Sequence, residues 1–386
     1  MQTPPNTSSA PDTRILRVGI VGCGNISANH LEAFQALDAV DVVALCDVDG
    51  ARAQALAAEY HVEHAVDSVK QLLELDLDIV SVCTPHPTHH QVVLQAAAAG
   101  VHVLCEKPIA VNVPAAQQMV QACQDAGVKL GVLFQRRFWP AAAKLRAEID
   151  AGALGTPVLA QVSVLLHREH EYYSATNWRG TWAADGGGVL MTQAIHYLDL
   201  LQWYLGDVAR VQGAVNTYKH GEHIEVEDSA AALLTFTSGA MATVLASTAA
   251  DPALGVQIRI TGSNGASAEL SEFPEGSDGR LTLRTGQHTI ATQPVHPAQL
   301  DANVELDQIN GALKDHHRSQ ITEFVSAVRH DRQPAVTGQQ AVASLQILLA
   351  IYESARTARP VDLAPATQHV VLPPDIADRL YTTAHA

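Results

Sequence analysis

Positive charge is scarce in this 386-residue chain: 24 lysines and arginines stand against 40 aspartates and glutamates, a formal net charge of -16. So acidic a protein repels phosphate backbones and anionic headgroups, which argues against nucleic acid or membrane as a partner and leaves small molecules. Cysteine is also sparse. The five residues Cys23, Cys46, Cys83, Cys105 and Cys123 are odd in number, contain no C-x-x-C pair and fall mostly at the ends of apolar runs. They read as reduced core residues of a cytoplasmic protein, not a disulfide framework. No apolar run reaches the ~18 residues that span a bilayer. Residues 1–14 are rich in Pro, Ser and Thr without the apolar segment of a signal peptide, so they are expected to form a disordered tail, with a second tail at 366–386. His86, His89 and His90 lie close together, but no carboxylate or cysteine completes a set at ligand spacing, and no metal is expected.

With 47% hydrophobic residues and a mean hydropathy of +0.05, the chain can bury a substantial core. Its first 134 residues alternate between strand-like and helix-like patterns, the α/β signature. Val18-Gly19-Ile20-Val21-Gly22-Cys23-Gly24-Asn25-Ile26-Ser27 is an apolar run that ends in a glycine turn and opens into a helical pattern over 28–37. Gly22 and Gly24 suit the turn and the close approach of a pyrophosphate to the helix start at Asn25 and Ile26, with Ser27 in place of the usual third glycine. Asp47 closes the next apolar run, where a carboxylate bonds both hydroxyls of an adenosine ribose. Asp47 and Asp49 would repel a 2′-phosphate, and Arg52 is a full helical turn away, so NAD is expected over NADP. Two further strand tips carry polar groups. Thr84-Pro85-His86, with His89 beyond it, forms a loop past the strand 77–82, and Glu106-Lys107-Pro108 follows the strand 101–104. At such a tip Lys107 would face the nicotinamide end of a dinucleotide.

Short β-rich runs at 158–167, 208–218, 229–236, 240–248, 256–262 and 281–285 suggest one meandering sheet, and apolar helical spacing marks 318–329 and 338–358. Residues 230–234 are apolar at successive positions, and a strand apolar on both faces needs cover on both. Helices supply one cover. A second subunit would supply the other, hence an expected homodimer or homotetramer. Between these elements Asp185-Gly186-Gly187-Gly188 opens a helix on which Thr192, His196 and Asp199 form a polar stripe. The three glycines are read as admitting a ligand to the backbone. His196, with an ordinary pKa of ~6.5, is the best proton acceptor on that stripe. Trp178 and Arg179 before the glycines, and Arg137 after the last strand of the first half, suit a sugar: aromatic faces stack on pyranose C–H groups and arginine binds anions.

The glycine turn, Asp47, Thr84-Pro85, Glu106-Lys107-Pro108 and the run from Gly186 through His196 and Asp199 resemble the glucose-fructose oxidoreductase / inositol dehydrogenase (Gfo/Idh/MocA) family of pyridine-nucleotide sugar oxidoreductases, over roughly residues 17–361. The resemblance implies a doubly wound Rossmann domain at 15–134, then an α+β substrate and oligomerisation domain at 135–365 built on a large, mostly antiparallel open sheet. It implies Lys107 and His196 as catalytic residues, and Gly22, Gly24, Asn25, Ile26, Asp47, Thr84, Pro85, His86, His89, Glu106 and Lys107 around the cofactor. Arg137, Trp178, Arg179, Thr192, Gln193 and His196 would surround the substrate. Many relatives have aspartate where Thr192 stands, which leaves His196 as the base. The implied reaction is hydride transfer from a secondary alcohol of a sugar, sugar derivative or polyol to NAD, at C3 if the substrate is a hexose or nucleotide sugar. Two alternatives share the fold: an NAD-dependent glycosidase with transient C3 oxidation, and a non-catalytic sensor of dinucleotide.

Overall fold

The computed structural model describes residues 14–174, 178–286, 288–292 and 302–363, so the two expected tails, apart from Arg14, lie outside the described residues. In the first half, β1 (Leu16–Val21), β2 (Val40–Cys46), β3 (His64–Val66), β4 (Ile79–Val82), β5 (His102–Cys105) and β6 (Leu130–Val132) form a parallel sheet in the order β3-β2-β1-β4-β5-β6. Helices α1 (Ser27–Gln35), α2 (Gly50–Tyr60), α3 (Val69–Leu73), α4 (His89–Ala98) and α5 (Val113–Asp125) connect the strands. Helices on both faces explain why β1 and β4 are apolar at nearly every position. The order reverses between β1 and β4, and the crevice at their carboxyl ends is where such sheets take ligands. Helix starts follow local chemistry: Asp49 accepts the Arg52 N–H at α2, and Asn112 accepts the Ala115 N–H at α5.

The second half contains α6 (Pro140–Asp150), β7 (Pro157–Leu165), α7 (His170–Ser174), α8 (Ile195–Leu205), β8 (Val208–Asn216), β9 (Ser229–Phe236), β10 (Met241–Ser247), β11 (Gly255–Gly262), β12 (Ser267–Glu272), β13 (Arg280–Arg284) and β14 (Thr289–Ala291). The chain ends with α9 (Leu306–Ala312), α10 (Lys314–Arg329), α11 (Gly338–Thr357) and β15 (Val361–Asp362). Nine strands make one sheet in the order β14-β13-β12-β11-β7-β10-β9-β8-β15. It is not the simple meander expected, because β7 and β10 pair in parallel. The strands β12, β14 and β15 and the helices α6 and α9 also lie beyond the expected set. In β12, Ser-Ala-Glu-Leu-Ser-Glu reads as polar, yet Ala268, Leu270 and Glu272 all face inward.

Helices α8 and α11 pack on one face of this sheet. On the other, Leu159, Leu233, Met241 and Leu245 stand 49%, 45%, 49% and 43% exposed. Cross-strand pairing gathers them: Met241 stands opposite Leu159, and Leu233 opposite Thr243, midway between Met241 and Leu245 on β10. The two halves are not closed separately. Ile321, Phe324 and Val325 of α10 belong to the same buried cluster as Leu16, Val18 and Ile20 of β1. The Gln320 side chain donates to the Val132 carbonyl at 2.8 Å, and the Val132 N–H donates to the Val336 carbonyl. Among the described residues no helix is long and apolar enough to cross a membrane.

Candidate active site

Gly22 has φ +94°, and a Cβ there would lie 2.7 Å from the Cys83 carbonyl group, so only glycine fits. A Cβ on Gly24 would meet nothing within 4 Å, which leaves the approach to α1 open. No side chain caps α1, and its first N–H groups suit an anion. The Ser27 hydroxyl donates to the Gly24 carbonyl at 2.6 Å and so holds the turn from inside. Asp47 sits at the tip of β2, and its carboxylate accepts the Cys23 N–H at 2.8 Å and the Asp49 N–H at 2.9 Å. One expectation needs correction. Arg52 comes within 4.0 Å of Asp47 and 3.8 Å of Asp49, because the first turn of α2 brings its guanidinium back over the strand tip.

The histidines of the next loop do not act together. His89 is fully buried, with Nδ1 against the Pro108 carbonyl and Nε2 against the Thr84 carbonyl, so it braces two loops. His86 donates from Nδ1 to the Asp185 carbonyl at 2.9 Å, and burial pushes its pKa down to about 3. His90 bonds Gln118 at the surface. Glu106 is likewise engaged by the protein. Its carboxylate turns into the protein, where Oε1 lies 3.0 Å from His30 Nε2 and 3.8 Å from His317 Nε2, while Oε2 accepts the Lys107 N–H at 3.1 Å. Burial alone would raise its pKa, but the His30 hydrogen bond, with Lys107 nearby, brings it down to about 2. Among the described residues, His30, Glu106 and His317 are the one group whose metal-ligating atoms all fall within 4.8 Å of one another.

Lys107 reaches across to the second half. Its Nζ donates to the Thr192 carbonyl at 3.0 Å, and burial lowers its pKa below the ordinary lysine range while Glu106 opposes that shift. Thr192 lies on a π-helical turn, Leu190–Ala194, that runs directly into α8 and its His196. Such turns are rare and gather at functional sites. The Thr192 hydroxyl donates to the Gly188 carbonyl at 2.8 Å, and Gln193 donates to the Tyr172 hydroxyl at 3.0 Å. His196 is 4% exposed, packs edge-on to Phe134, and its Nδ1 has no hydrogen-bond partner among the described residues. Burial, reinforced by Arg136 and Lys107, holds its pKa well below the usual histidine value, so the ring is neutral at pH 7.

The polar stripe ends at Asp199, which is fully buried and bound by Arg137 through two hydrogen bonds of 2.6 and 2.7 Å. Arg137 also reaches Gln340 and lies over Trp203. It ties α8 to α11. Arg179 differs: its guanidinium lies over Tyr172 and Trp178, at 4.3 and 5.1 Å, with Nε unpartnered among the described residues. Trp178 in turn meets His86 edge-on at 5.3 Å. Gly187 and Gly188 serve the protein itself, contrary to expectation. A Cβ would fall 2.1 Å from the Tyr352 hydroxyl at Gly187 and 1.7 Å from the Glu227 carbonyl at Gly188. Glu227 accepts the Gly188 and Leu190 N–H groups and the Tyr352 hydroxyl, and nothing in its sequence context marks it. Asp185 is a second functional candidate that its place in a glycine turn conceals. It is 2% exposed, accepts the Gly180 N–H through Oδ2, leaves Oδ1 without a hydrogen bond among the described residues but 3.5 Å from His86 Nδ1, and burial raises its pKa to about 7.

Comparison with known proteins places the chain in a family. Residues 16–134 match the model of the oxidoreductase family with an NAD-binding Rossmann fold, and residues 142–268 match the GFO/IDH/MocA C-terminal domain. A D-apiose dehydrogenase of Paraburkholderia graminis is 30% identical over 92% of this chain and 92% of its own length. An inositol 2-dehydrogenase of Rhizobium meliloti is 25% identical over 90% and 99%. The WlbA dehydrogenase of Bordetella pertussis, solved with NADH and UDP-GlcNAcA, superposes with a TM-score of 0.77 at 30% identity, covering 91% of this chain and 100% of that one. With its nucleotide turn, its Lys107 and its two matched domains, the chain belongs to the Gfo/Idh/MocA family of NAD-binding oxidoreductases.

Proposed function

We propose that this protein is an NAD-dependent dehydrogenase of a sugar, sugar derivative or polyol, with C3 of a hexose or nucleotide sugar as the reacting position. The observation that carries the reading is the bond from Lys107 Nζ to the Thr192 carbonyl, which joins the tip of β5 to the turn that leads into His196. The dehydrogenases of apiose and inositol among its relatives, and the sugar nucleotide bound by the WlbA enzyme, support the substrate class. NAD, when bound at the glycine turn, supplies the hydride acceptor. Lys107 donates to the carbinol oxygen and stabilises the negative charge that develops as hydride departs. His196, neutral at pH 7, accepts the hydroxyl proton as the C=O bond forms. Trp178, Arg179 and Gln193 flank the sugar, with Tyr172 behind them. The exposed apolar face over β7, β9 and β10 is the contact between copies in a homodimer or homotetramer. The test is a spectrophotometric screen of NAD with apiose, inositols, free hexoses and UDP-linked hexoses and hexuronates. NADH formation with one of them is expected, and protein that binds NADH yet reduces NAD with none of these would overturn the reading.

A further inference from the structure

Glu106 is a buried carboxylate whose neighbours come from four separate elements. From β4, the Ser81 hydroxyl meets His30 Nδ1 at 2.8 Å. From α1, His30 Nε2 meets Glu106 Oε1 at 3.0 Å, and from α10 the His317 ring stands beside the same oxygen at 3.8 Å. The other oxygen, Oε2, accepts the N–H of Lys107 at the end of β5. Donor and acceptor roles follow in one direction. A carboxylate only accepts, so His30 donates from Nε2 and receives the Ser81 hydroxyl proton at Nδ1. The chain of bonds therefore runs from Ser81 through His30 and Glu106 to the Lys107 backbone. His317 does not contribute a bond to it, because its Nδ1 donates to the Leu313 carbonyl at 2.9 Å and a neutral ring then presents a lone pair at Nε2.

We propose that Glu106 is a positioning residue for Lys107, held by His30 from the nucleotide-binding helix, and not a ligand of the cofactor. The Lys107 ammonium is faced by the carboxyl groups of Glu106 and Asp185 and by the cations Arg136 and Arg179. Glu106 is itself faced by His30, His317 and Lys107, and its charge opposes the desolvation that drives Lys107 toward the neutral form. Since His30 lies on α1, the helix whose start takes the dinucleotide, the same bonds set the lysine's place relative to that helix. The inference rests on the reading of Lys107 as the group at the reacting oxygen.

Lys107 is one of six lysines, so its titration can be followed directly by NMR of 13C-methylated protein, assigned with Lys107→Met. Glu106→Gln keeps the shape and one acceptor but removes the charge. It should lower the Lys107 midpoint by ~1 pH unit, as loss of a nearby carboxylate does. NADH affinity should stay within about twofold, and turnover of the sugar found in the screen should fall roughly tenfold, the effect of a misplaced charge-stabilising donor. His30→Asn keeps an atom for Ser81 but none for Glu106 and should lose turnover in the same way, whereas His30→Gln, which restores a donor near the Nε2 position, should recover most of it. An unchanged Lys107 midpoint in Glu106→Gln, or a loss of NADH affinity that accounts for the lost rate, overturns the proposal. So does a stoichiometric divalent cation found in untagged wild-type protein and absent from His317→Asn, since a metal would then hold Glu106. A Lys107→Met enzyme that still turns over defeats the function reading instead, independently of these outcomes.

Discussion

Asp47→Asn should shift the dinucleotide preference of this protein toward NADPH. The wild-type carboxylate bonds two backbone N–H groups, from Cys23 and Asp49, and keeps lone pairs that, on the proposed reading, accept from the adenosine ribose. Asparagine has one acceptor oxygen, so one of those two charge-assisted bonds is lost, at ~1.5–3 kcal/mol of fold stability. For NADH, a neutral acceptor in place of a charged one costs ~1 kcal/mol, or roughly fivefold in affinity. For NADPH the dominant effect is relief of repulsion. A carboxylate ~5 Å from a 2′-phosphate, at effective dielectrics of ~20–80, opposes each unit of its charge by ~1–3 kcal/mol. Arg52, 4.0 Å from Asp47 in the wild type, is then released toward the phosphate. Together these effects should raise the ratio of NADPH to NADH affinity roughly 30-fold or more. Fluorescence titration of both dinucleotides, with a thermal melt to confirm the fold, measures it. An affinity ratio that stays at the wild-type value would mean that Asp47 serves only the glycine turn and does not select the cofactor.

Burial lowers the His196 pKa, so the base form persists into acid. For sugar oxidation kcat/KM should be flat through neutrality and fall only below the ordinary histidine value of ~6.5, a limb that His196→Ala should abolish; a limb centred above that value points to another group. Arg137→Met strands the Asp199 charge in the core and should cost ~3–5 kcal/mol in stability without raising KM in the folded enzyme. A raised KM at unchanged Tm would restore Arg137 to the substrate. Leu245→Asp, which puts charge in the open face of β10, should shift the protein to monomer in light scattering, and a wild-type protein that is already monomeric at assay concentration refutes the proposed contact.

What can be read in the residues is local. The glycine turn, the apolar parallel strands, the cap chemistry of α2 and α5 and the tip position of Lys107 all follow from a few consecutive side chains, and the β-rich run 229–236 has the same bounds as β9. What escapes depends on partners far along the chain. Glu272 makes β12 look like a surface segment, but it is fully buried because Arg136 and Tyr197 come to meet it. Glu106 reads as a cofactor contact because His30 and His317 cannot be seen beside it in sequence. Gly187 and Gly188 suggest a ligand, although the groups that exclude a Cβ there are Tyr352 and Glu227. The i, i+4, i+7 stripe sets Thr192, His196 and Asp199 on one helix face, but Asp199 belongs to Arg137.

Helix α10 fills a socket in the nucleotide-binding half: a Cβ on Gly131 would strike the Phe324 ring at 2.7 Å. During synthesis β1 to β6 therefore emerge long before the side chains that complete their core, and the first half waits, with an apolar cleft uncovered, for a helix made near the end of translation. A cut at residue 134 would not release a self-sufficient module. It would leave two complementary fragments, each exposing the surface the other is shaped to cover, and gene fusions that swap the N-terminal half alone would have to carry α10 with it.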